Sequence, residues 1–347
     1  MKTKSVIQFR FMIFLVLFSE SLFSFYKVSG QDRFGLLTHA LESKQKVLGG
    51  NVCMLVFKDN GLIYEKNLGS YTSSTPEMIA SCSKWLTAGL IATFIDEGLI
   101  APEDSIGRYL PIFSQYKKGG ITISQCMSHT SGIESEPITF RLLLERRKMK
   151  SLADEVNTFA EKPVIGKQGT VFCYGNIGLN IVGRILEVIS HKDFETLFQE
   201  RIARPLGMNH TSFASKNAIN PSGGAISTAG DYMNFLRMLL GNGLFNGQRI
   251  LRAETVRLMQ VSRTSAAKVV YTPAEAKGYE YGWGEWILEK GTSGNSTVIS
   301  SPGLFGTYPW VDLQRNYAAI VFVKNLRIND RQNNYTELRE AVDASVK

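Results

Sequence analysis

Apolar residues in this chain recur with a helical spacing in some stretches and form short strand-like runs in others. A spacing of three or four residues places apolar side chains on one face and so predicts a helix. Stretches of this kind lie at residues 34–47, 81–95, 177–187 and 334–346. Short apolar runs at residues 52–57 and 62–68 flank Asp59-Asn60-Gly61, and this turn signal predicts that the two runs form a hairpin.

The rest of the pattern separates a helical region from a second group of strands. From residue 99 to about 260 the spacing is mostly helical, and residues 266–277 have little pattern and predict a loop. Further strands are predicted at residues 279–288, 296–301 and 317–323. This order predicts an α+β fold, in which terminal helices flank an antiparallel sheet and an all-helical subdomain at about 99–260 lies beside it. A cleft between the two parts is the expected place for an active site.

The N-terminal segment has the pattern of a secretory signal. Lys2, Lys4 and Arg10 accompany an apolar run at residues 11–18, which is too short to span a bilayer. We therefore expect a signal peptide at residues 1–30, a mature domain at 31–347, and a secreted or periplasmic protein. Small residues allow cleavage near Ser21 or near Gly30, and an uncleaved segment would be the one link to a membrane.

Composition and charge narrow the function further. The chain has 347 residues, 44% hydrophobic residues and a formal net charge of +8, without a nucleic-acid-binding motif, so nucleic acid is not an expected partner. The four histidines have no metal-binding spacing, and neither a metal nor another cofactor is expected. Because each cysteine lies in an apolar stretch, we expect buried free thiols at Cys53, Cys82, Cys126 and Cys173. The oligomeric state does not follow from the sequence.

The most informative chemistry lies at the start of the second predicted helix. Ser81 and Lys84 are three residues apart, a spacing that puts a hydroxyl and an amine on the same helix face. A serine hydroxyl needs an adjacent base to act as a nucleophile, and a lysine with a lowered pKa can be that base. The N–H groups at a helix N-terminus can also stabilise an oxyanion.

Two later segments carry residues that suit the same chemistry. Tyr174 follows a short strand-like run, and Asn176 precedes a predicted helix, where it is a plausible N-cap. Further on, Ser301-Pro302-Gly303 stands between a predicted strand and a glycine-containing turn.

Together these motifs resemble those of the serine β-lactamase and penicillin-binding-protein superfamily. In its members S-x-x-K is followed along the chain by Y-x-N, and then by K-T-G, H-x-G or a related motif. The resemblance is strongest to the class C-like branch, which includes β-lactamases, D-alanyl-D-alanine carboxypeptidases and family VIII esterases. It extends from about residue 37 to residue 325 through segments at residues 128–133, 205–208 and 223–231. The resemblance implies a β-lactamase/transpeptidase-like fold.

The resemblance also implies roles for individual residues. Ser81 would form an acyl-enzyme, Lys84 and Tyr174 would share the proton transfers, and either of them is a candidate base. Asn176 would position Lys84 and the acyl group. Ser301 and Gly303 of the third motif would contribute to substrate binding, and the N–H of Leu304 would join that of Ser81 in an oxyanion hole.

The third motif departs from the family pattern, because Ser301 stands where penicillin-recognising members usually carry lysine or histidine. Lys268 and Lys277 are candidates to replace that cation. The departure favours an esterase-like serine hydrolase that acts on small ester or amide substrates. The alternatives are a β-lactamase or D-alanyl-D-alanine carboxypeptidase, which would act on a β-lactam or cell-wall peptide, and a non-catalytic relative that binds such ligands. An α/β-hydrolase is disfavoured because no G-x-S-x-G motif occurs.

Overall fold

The computed structural model describes residues 33–135, 146 and 148–346, so the predicted signal peptide lies outside the described residues. In chain order the strands are β1 Val52–Lys58, β2 Gly61–Leu68, β3 Glu77–Met78, β4 Val171–Cys173, β5 Ile226–Ser227, β6 Leu244–Phe245, β7 Gln248–Arg249, β8 Lys268–Tyr271, β9 Glu280–Tyr281, β10 Trp286–Lys290, β11 Ser296–Ser300, β12 Gly306–Asp312 and β13 Tyr317–Lys324. The α-helices are α1 Gly35–Lys44, α2 Ser83–Asp96, α3 Pro111–Gln115, α4 Ile123–Met127, α5 Leu152–Glu161, α6 Ile177–Ser190, α7 Phe194–Phe198, α8 Ala229–Leu240, α9 Ala253–Met259 and α10 Arg331–Ser345.

A seven-stranded antiparallel sheet, in the order β2-β1-β13-β12-β11-β10-β9, forms the frame of the molecule. The predicted hairpin is confirmed, since β1 and β2 pair directly. Strand β1 is an uninterrupted apolar run because both faces of the sheet are covered. Its side chains alternate between two cores, with Cys53 and Leu55 in one and Val52 and Met54 in the other.

The two cores place helices on both faces of the sheet. Helices α1 and α10 contact each other on the face that carries Val52 and Met54. They supply Leu37, Leu41, Leu338 and Val342 to the core on that face. The larger core, on the face that carries Cys53 and Leu55, contains the apolar residues of α2, α6 and α8. Helix α2 is buried from Ser83 to Phe94, so it is a central helix rather than an amphipathic surface helix. The α+β fold predicted from the pattern is confirmed, whereas the division into a domain and a helical subdomain remains a prediction.

Three local expectations need correction. Residues 266–277 were expected to form a loop, but β8 lies within them and pairs in parallel with β4. Strand β12 was not predicted, because Pro309 and Gly306 are poor strand formers; both lie beside β13, whose register fixes the strand. Helix α10 begins at Arg331, three residues before the predicted start, and this extra turn brings Arg331 to the same pocket as Ser81.

Two further observations concern the described part of the chain. All four cysteines are buried and free, as the sequence predicted. Within residues 33–135, 146 and 148–346, no helix is both long and apolar enough to cross a membrane.

Candidate active site

Ser81 lies in a tight turn at the entrance to α2. Residues Ala80–Cys82 form a single turn of 3₁₀ helix that continues into α2, so the predicted position at a helix N-terminus is confirmed. Ala80 has a φ of +46°, an unfavourable value for a residue with a side chain. The turn is held by hydrogen bonds from Ile79 N–H to Ala225 O (3.0 Å) and from Tyr232 Oη to Cys82 O (2.8 Å). Such strain is often retained where a side chain must be presented to a site, and Ser81 remains 7% exposed at the pocket.

Lys84 is completely buried directly behind Ser81, and its Nζ lies 3.3 Å from the Ser81 Oγ. Nζ also donates hydrogen bonds to Asn176 Oδ1 (3.1 Å) and to the carbonyl oxygen of Ser222 (2.8 Å). None of these partners is a carboxylate. Because burial penalises the ammonium form without an opposite charge to offset it, the pKa of Lys84 is lowered to about 7.

The hydrogen-bond partners of Lys84 suit a neutral amine. A neutral amine has two N–H donors and one lone pair. The Asn176 and Ser222 oxygens can accept the two N–H groups, and the lone pair can accept the proton of the Ser81 hydroxyl. This arrangement is what a general base for Ser81 requires.

Tyr174 lies just after β4 and lines the same pocket as Ser81, whose side chain is close enough to influence the pKa of the phenol. Burial raises the pKa of Tyr174 above its ordinary value, so the phenol is protonated at neutral pH. Its ring lies 5.0 Å from Lys84 Nζ and packs against Trp286 (5.1 Å) and His129 (4.7 Å). An ionised tyrosine, which the sequence left open as the base, is therefore disfavoured by its surroundings.

His129 lies in a turn and takes a φ of +57°. Its backbone carbonyl accepts the N–H of Cys173, which attaches the turn to β4. Burial, reinforced by the nearby charge of Lys84, lowers the pKa of His129 well below its usual value, so the ring is neutral. The histidine contributes to the wall behind Tyr174.

Asn176 occupies the N-cap position of α6, but its side chain makes no capping hydrogen bond. Its Oδ1 accepts a hydrogen bond from Lys84 instead, and its backbone carbonyl accepts the Ser222 hydroxyl (2.8 Å). The predicted N-cap position is therefore confirmed, but the side chain does not cap the helix, because the buried lysine binds the same oxygen. Its predicted contact with Lys84 is confirmed.

The third motif passes very close to the Ser81 turn. The hydroxyl of Ser301 is buried and donates to the carbonyls of Gly284 (2.9 Å) and Ser81 (3.4 Å), so it faces away from the pocket. A Cβ on Gly303 would lie 2.3 Å from the carbonyl oxygen of Ile79, so only glycine fits there. Gly303 and Leu304 both line the pocket, and among the described residues no acceptor pairs with the N–H of Leu304.

The pocket in front of Ser81 has a volume of about 220 Å³ and a largely aromatic wall. Its rings belong to Tyr174, Tyr271, Tyr279, Trp286, Tyr308 and Tyr335. Glu275 and Arg331 are the charged residues among those lining it, whereas Lys268 and Lys277 lie outside it. The sequence pattern missed Arg331, because it belongs to the C-terminal helix, far from every motif.

A second buried ionisable group lies behind the site. Burial raises the pKa of Glu285 to about 8, and Trp85 Nε1 donates a hydrogen bond to its carboxyl group. This acid is therefore mostly protonated at neutral pH and supplies little negative charge to stabilise an ammonium on Lys84. Across the residues that the structure describes, no cluster of three or more histidine, cysteine or acidic side chains is arranged to hold a metal ion.

Known proteins share the sequence pattern and the fold of this chain. A family model described as Beta-lactamase matches residues 37–343. The crystal structure of a putative beta-lactamase from Bacteroides dorei DSM 17855 is 31% identical, with a TM-score of 0.82 over 90% of this chain and 98% of that chain. The D-alanyl-D-alanine-carboxypeptidase/endopeptidase AmpH of Escherichia coli (strain K12) is 25% identical over 273 residues, or 71% of this chain and 70% of AmpH.

A more distant solved structure shares the fold. It is EstCE1, described as a hydrolase with promiscuous acyltransferase activity, at 17% identity and a TM-score of 0.74 over 91% of this chain and 100% of that one.

Proposed function

The chain belongs to the beta-lactamase family, and on that premise we propose that it is an esterase-like serine hydrolase acting through an acyl-enzyme on Ser81. The proposal rests on the contact between Ser81 Oγ and Lys84 Nζ, which are 3.3 Å apart. Lys84 is fully buried, and the pKa of its amine is lowered to about 7. A solvated lysine would be protonated at neutral pH and could not accept the serine proton.

The proposed reaction has two halves. Ser81 Oγ attacks the carbonyl carbon of the substrate while Lys84 Nζ takes the hydroxyl proton. The N–H groups of Ser81 and Leu304 stabilise the oxyanion of the tetrahedral intermediate. The proton then passes through Tyr174 to the departing alkoxide or amine, which leaves the acyl group on Ser81. Water attacks this ester while the same groups take one of its protons and deliver it to Ser81 Oγ, as the acid leaves.

The pocket wall supports small ester or amide substrates with apolar groups. Aromatic rings provide much of the surface. Ser301 is neutral and so supplies no cation, and its hydroxyl is bonded to backbone carbonyls rather than directed at the pocket. An apolar acyl or alcohol group would gain affinity by burying its surface there, whereas a carboxylate would need a charged partner.

Arg331 favours one alternative function. It places a positive charge on the pocket wall, where a β-lactam or the carboxylate of a cell-wall peptide would need it. The relative AmpH is named as a D-alanyl-D-alanine-carboxypeptidase/endopeptidase. A carboxypeptidase or β-lactamase activity is therefore the second candidate, but most hydrogen bonds from Arg331 go to backbone carbonyls.

A non-catalytic relative that binds cell-wall peptides or β-lactams is the third candidate. Burying the Lys84 amine completely, without a carboxylate partner, costs folding free energy. A protein that only binds its ligand would gain nothing from this cost. This argument favours an enzyme. Secretion or a periplasmic location remains a proposal that rests on residues 1–30.

The first experiment compares hydrolysis of p-nitrophenyl butyrate, nitrocefin and a D-alanyl-D-alanine peptide by the purified protein. We expect ester turnover to exceed nitrocefin turnover by at least about tenfold in kcat/KM, which corresponds to roughly 1.4 kcal/mol of transition-state binding. The Ser81→Ala protein is the blank for each substrate. Faster turnover of nitrocefin or the peptide would favour the carboxypeptidase or β-lactamase activity instead. If the protein turned over none of the three substrates and a serine-reactive probe did not label Ser81, a binding protein would be favoured.

The pH dependence identifies the base. Below its pKa Lys84 is protonated and cannot accept the serine proton, and above it the amine is neutral. We therefore expect kcat/KM for p-nitrophenyl butyrate to rise with pH through about 7 and then level off. Initial rates between pH 5 and 9, corrected with the Ser81→Ala blank, measure the profile. A rate that shows no inflection near pH 7 and is still rising at pH 9 would instead favour Tyr174 as the base, because the pKa of Tyr174 is raised above its ordinary value.

A further inference from the structure

We propose that Arg331 is a positioning residue, which holds the turn at Gly303 and Leu304 through the Leu304 carbonyl so that the N–H of Leu304 faces the reacting oxygen. The inference rests on the proposed function, since it concerns the oxyanion hole of the same reaction. It assigns a role to a residue of the C-terminal helix that lies outside the three sequence motifs.

The contacts of Arg331 are concentrated on the third-motif loop. Its Nη2 donates to the carbonyl of Leu304 at 2.7 Å, and its Nη1 lies 3.5 Å from the carbonyl of Gly303. Further contacts at 3.4 Å reach the carbonyls of Asn325 and Leu326, which precede α10. The side chain is only 12% exposed, so these contacts are largely shielded from water.

The carbonyl of Gly303 and the N–H of Leu304 are opposite ends of one planar peptide group. That carbonyl accepts the N–H of Gly306 at 2.9 Å, which sets the plane of the peptide within the turn. Arg331 holds the turn itself through the next carbonyl, that of Leu304, at 2.7 Å. Its charge, 3.5 Å from the Gly303 carbonyl, also polarises the peptide group and strengthens the N–H as a donor, because hydrogen bonds in series reinforce one another in a low dielectric. Since no acceptor among the described residues pairs with the Leu304 N–H, this donor is free to bind an oxyanion.

The loop is confined on its inner side by direct contact with the Ser81 turn. The α-carbon of Gly303 packs against the carbonyl of Ile79, and its N–H donates to Thr307 O at 2.8 Å. On the outer side Leu304 is 39% exposed and provides little packing. The backbone bond from Asn325 N–H to Phe305 O holds the far end of the turn, and Arg331 is the side-chain contact that holds the Leu304 carbonyl against an outward movement away from Ser81.

The acidic neighbour of Arg331 does not account for its position. Glu275 Oε1 lies 3.4 Å from Nη1 and its side chain is 36% exposed, whereas the short hydrogen bond of Arg331, at 2.7 Å, goes to the carbonyl of Leu304. The planar fork of an arginine can reach several carbonyls at once, whereas a lysine ammonium is a compact charge on a flexible stem. The arrangement therefore uses a property specific to arginine.

The test compares Arg331→Lys and Arg331→Gln with the unchanged protein. We expect kcat/KM for p-nitrophenyl butyrate to fall by about tenfold to hundredfold, less than the 10²–10³ typical for complete loss of an oxyanion donor. The loss should appear in kcat with KM nearly unchanged. The inhibition constant of butylboronic acid, whose tetrahedral serine adduct places an oxygen in the oxyanion hole, should rise by a similar factor.

Arg249→Lys is the matched control, because Arg249 also donates to backbone carbonyls, those of Asn242 and Leu251, but lies away from the pocket. It should change thermal stability without changing kcat or boronic acid inhibition. Wild-type kcat/KM and boronic acid inhibition in both folded Arg331 variants would overturn the proposal. Failure of the proposed function is a separate result, in which the unchanged protein itself neither turns over the ester nor reacts with a fluorophosphonate.

Discussion

The Ser81→Ala protein is expected to lose ester turnover by about 10⁵-fold or more, which is the scale seen when the nucleophile of a serine hydrolase is removed. The hydroxyl oxygen is the atom that would carry the acyl group, and neither Lys84 nor Tyr174 can replace it. The fold should persist, because alanine keeps the Cβ and Ser81 remains partly open to the pocket. Steady-state hydrolysis of p-nitrophenyl butyrate measures the loss.

A neighbouring serine provides the control for this variant. Ser83 is completely buried and its Oγ accepts the N–H of Ala225 at 3.0 Å, so Ser83→Ala leaves that donor unpaired. We expect the free energy of unfolding to fall by about 1–3 kcal/mol while turnover remains within a few-fold of the unchanged protein. Equal activity of the Ser81→Ala and unchanged proteins would show that Ser81 is not the nucleophile.

The second large effect is expected from Lys84→Met, which keeps a long apolar chain and removes the amine. The rate of acylation should fall by about 10²–10⁴, the usual contribution of a general base. The inflection in kcat/KM near pH 7 should disappear as well, since Lys84 has the group whose pKa lies there. Stopped-flow measurement of p-nitrophenol release gives the acylation rate directly.

Lys118 offers a matched control, because it is another buried lysine and its Nζ donates to the carbonyl of Ala160, outside the pocket. Burial lowers the pKa of Lys118 too, so Lys118→Met removes a similar group from a different place. This variant should lower stability and leave the acylation rate unchanged. If Lys84→Met acylated as fast as Lys118→Met, the base would have to be another residue.

The sequence predicted the parts of the site that depend on local spacing. Ser81 and Lys84 are three residues apart on the same turn, so their contact follows from helix geometry. The β1–β2 hairpin follows from its turn residues, and the burial of the four cysteines follows from their apolar neighbours.

The remaining features depend on contacts between distant parts of the chain. The burial of Lys84 depends on Asn176 and Ser222, which are 92 and 138 residues away. The inward turn of the Ser301 hydroxyl depends on the carbonyl of Gly284, and the cation on the pocket wall comes from α10 rather than from Lys268 or Lys277. No local pattern encodes such partners, because the tertiary fold alone brings them together.

The central claim is that Ser81 carries the acyl group, and covalent labelling tests it most directly. The protein would be reacted with a fluorophosphonate, digested with trypsin and examined by mass spectrometry, with Ser81→Ala in parallel. We predict a single adduct on Ser81, in the peptide that ends at Lys84, and no adduct in the alanine variant. An adduct on another residue, or no adduct on a folded protein, would contradict the account.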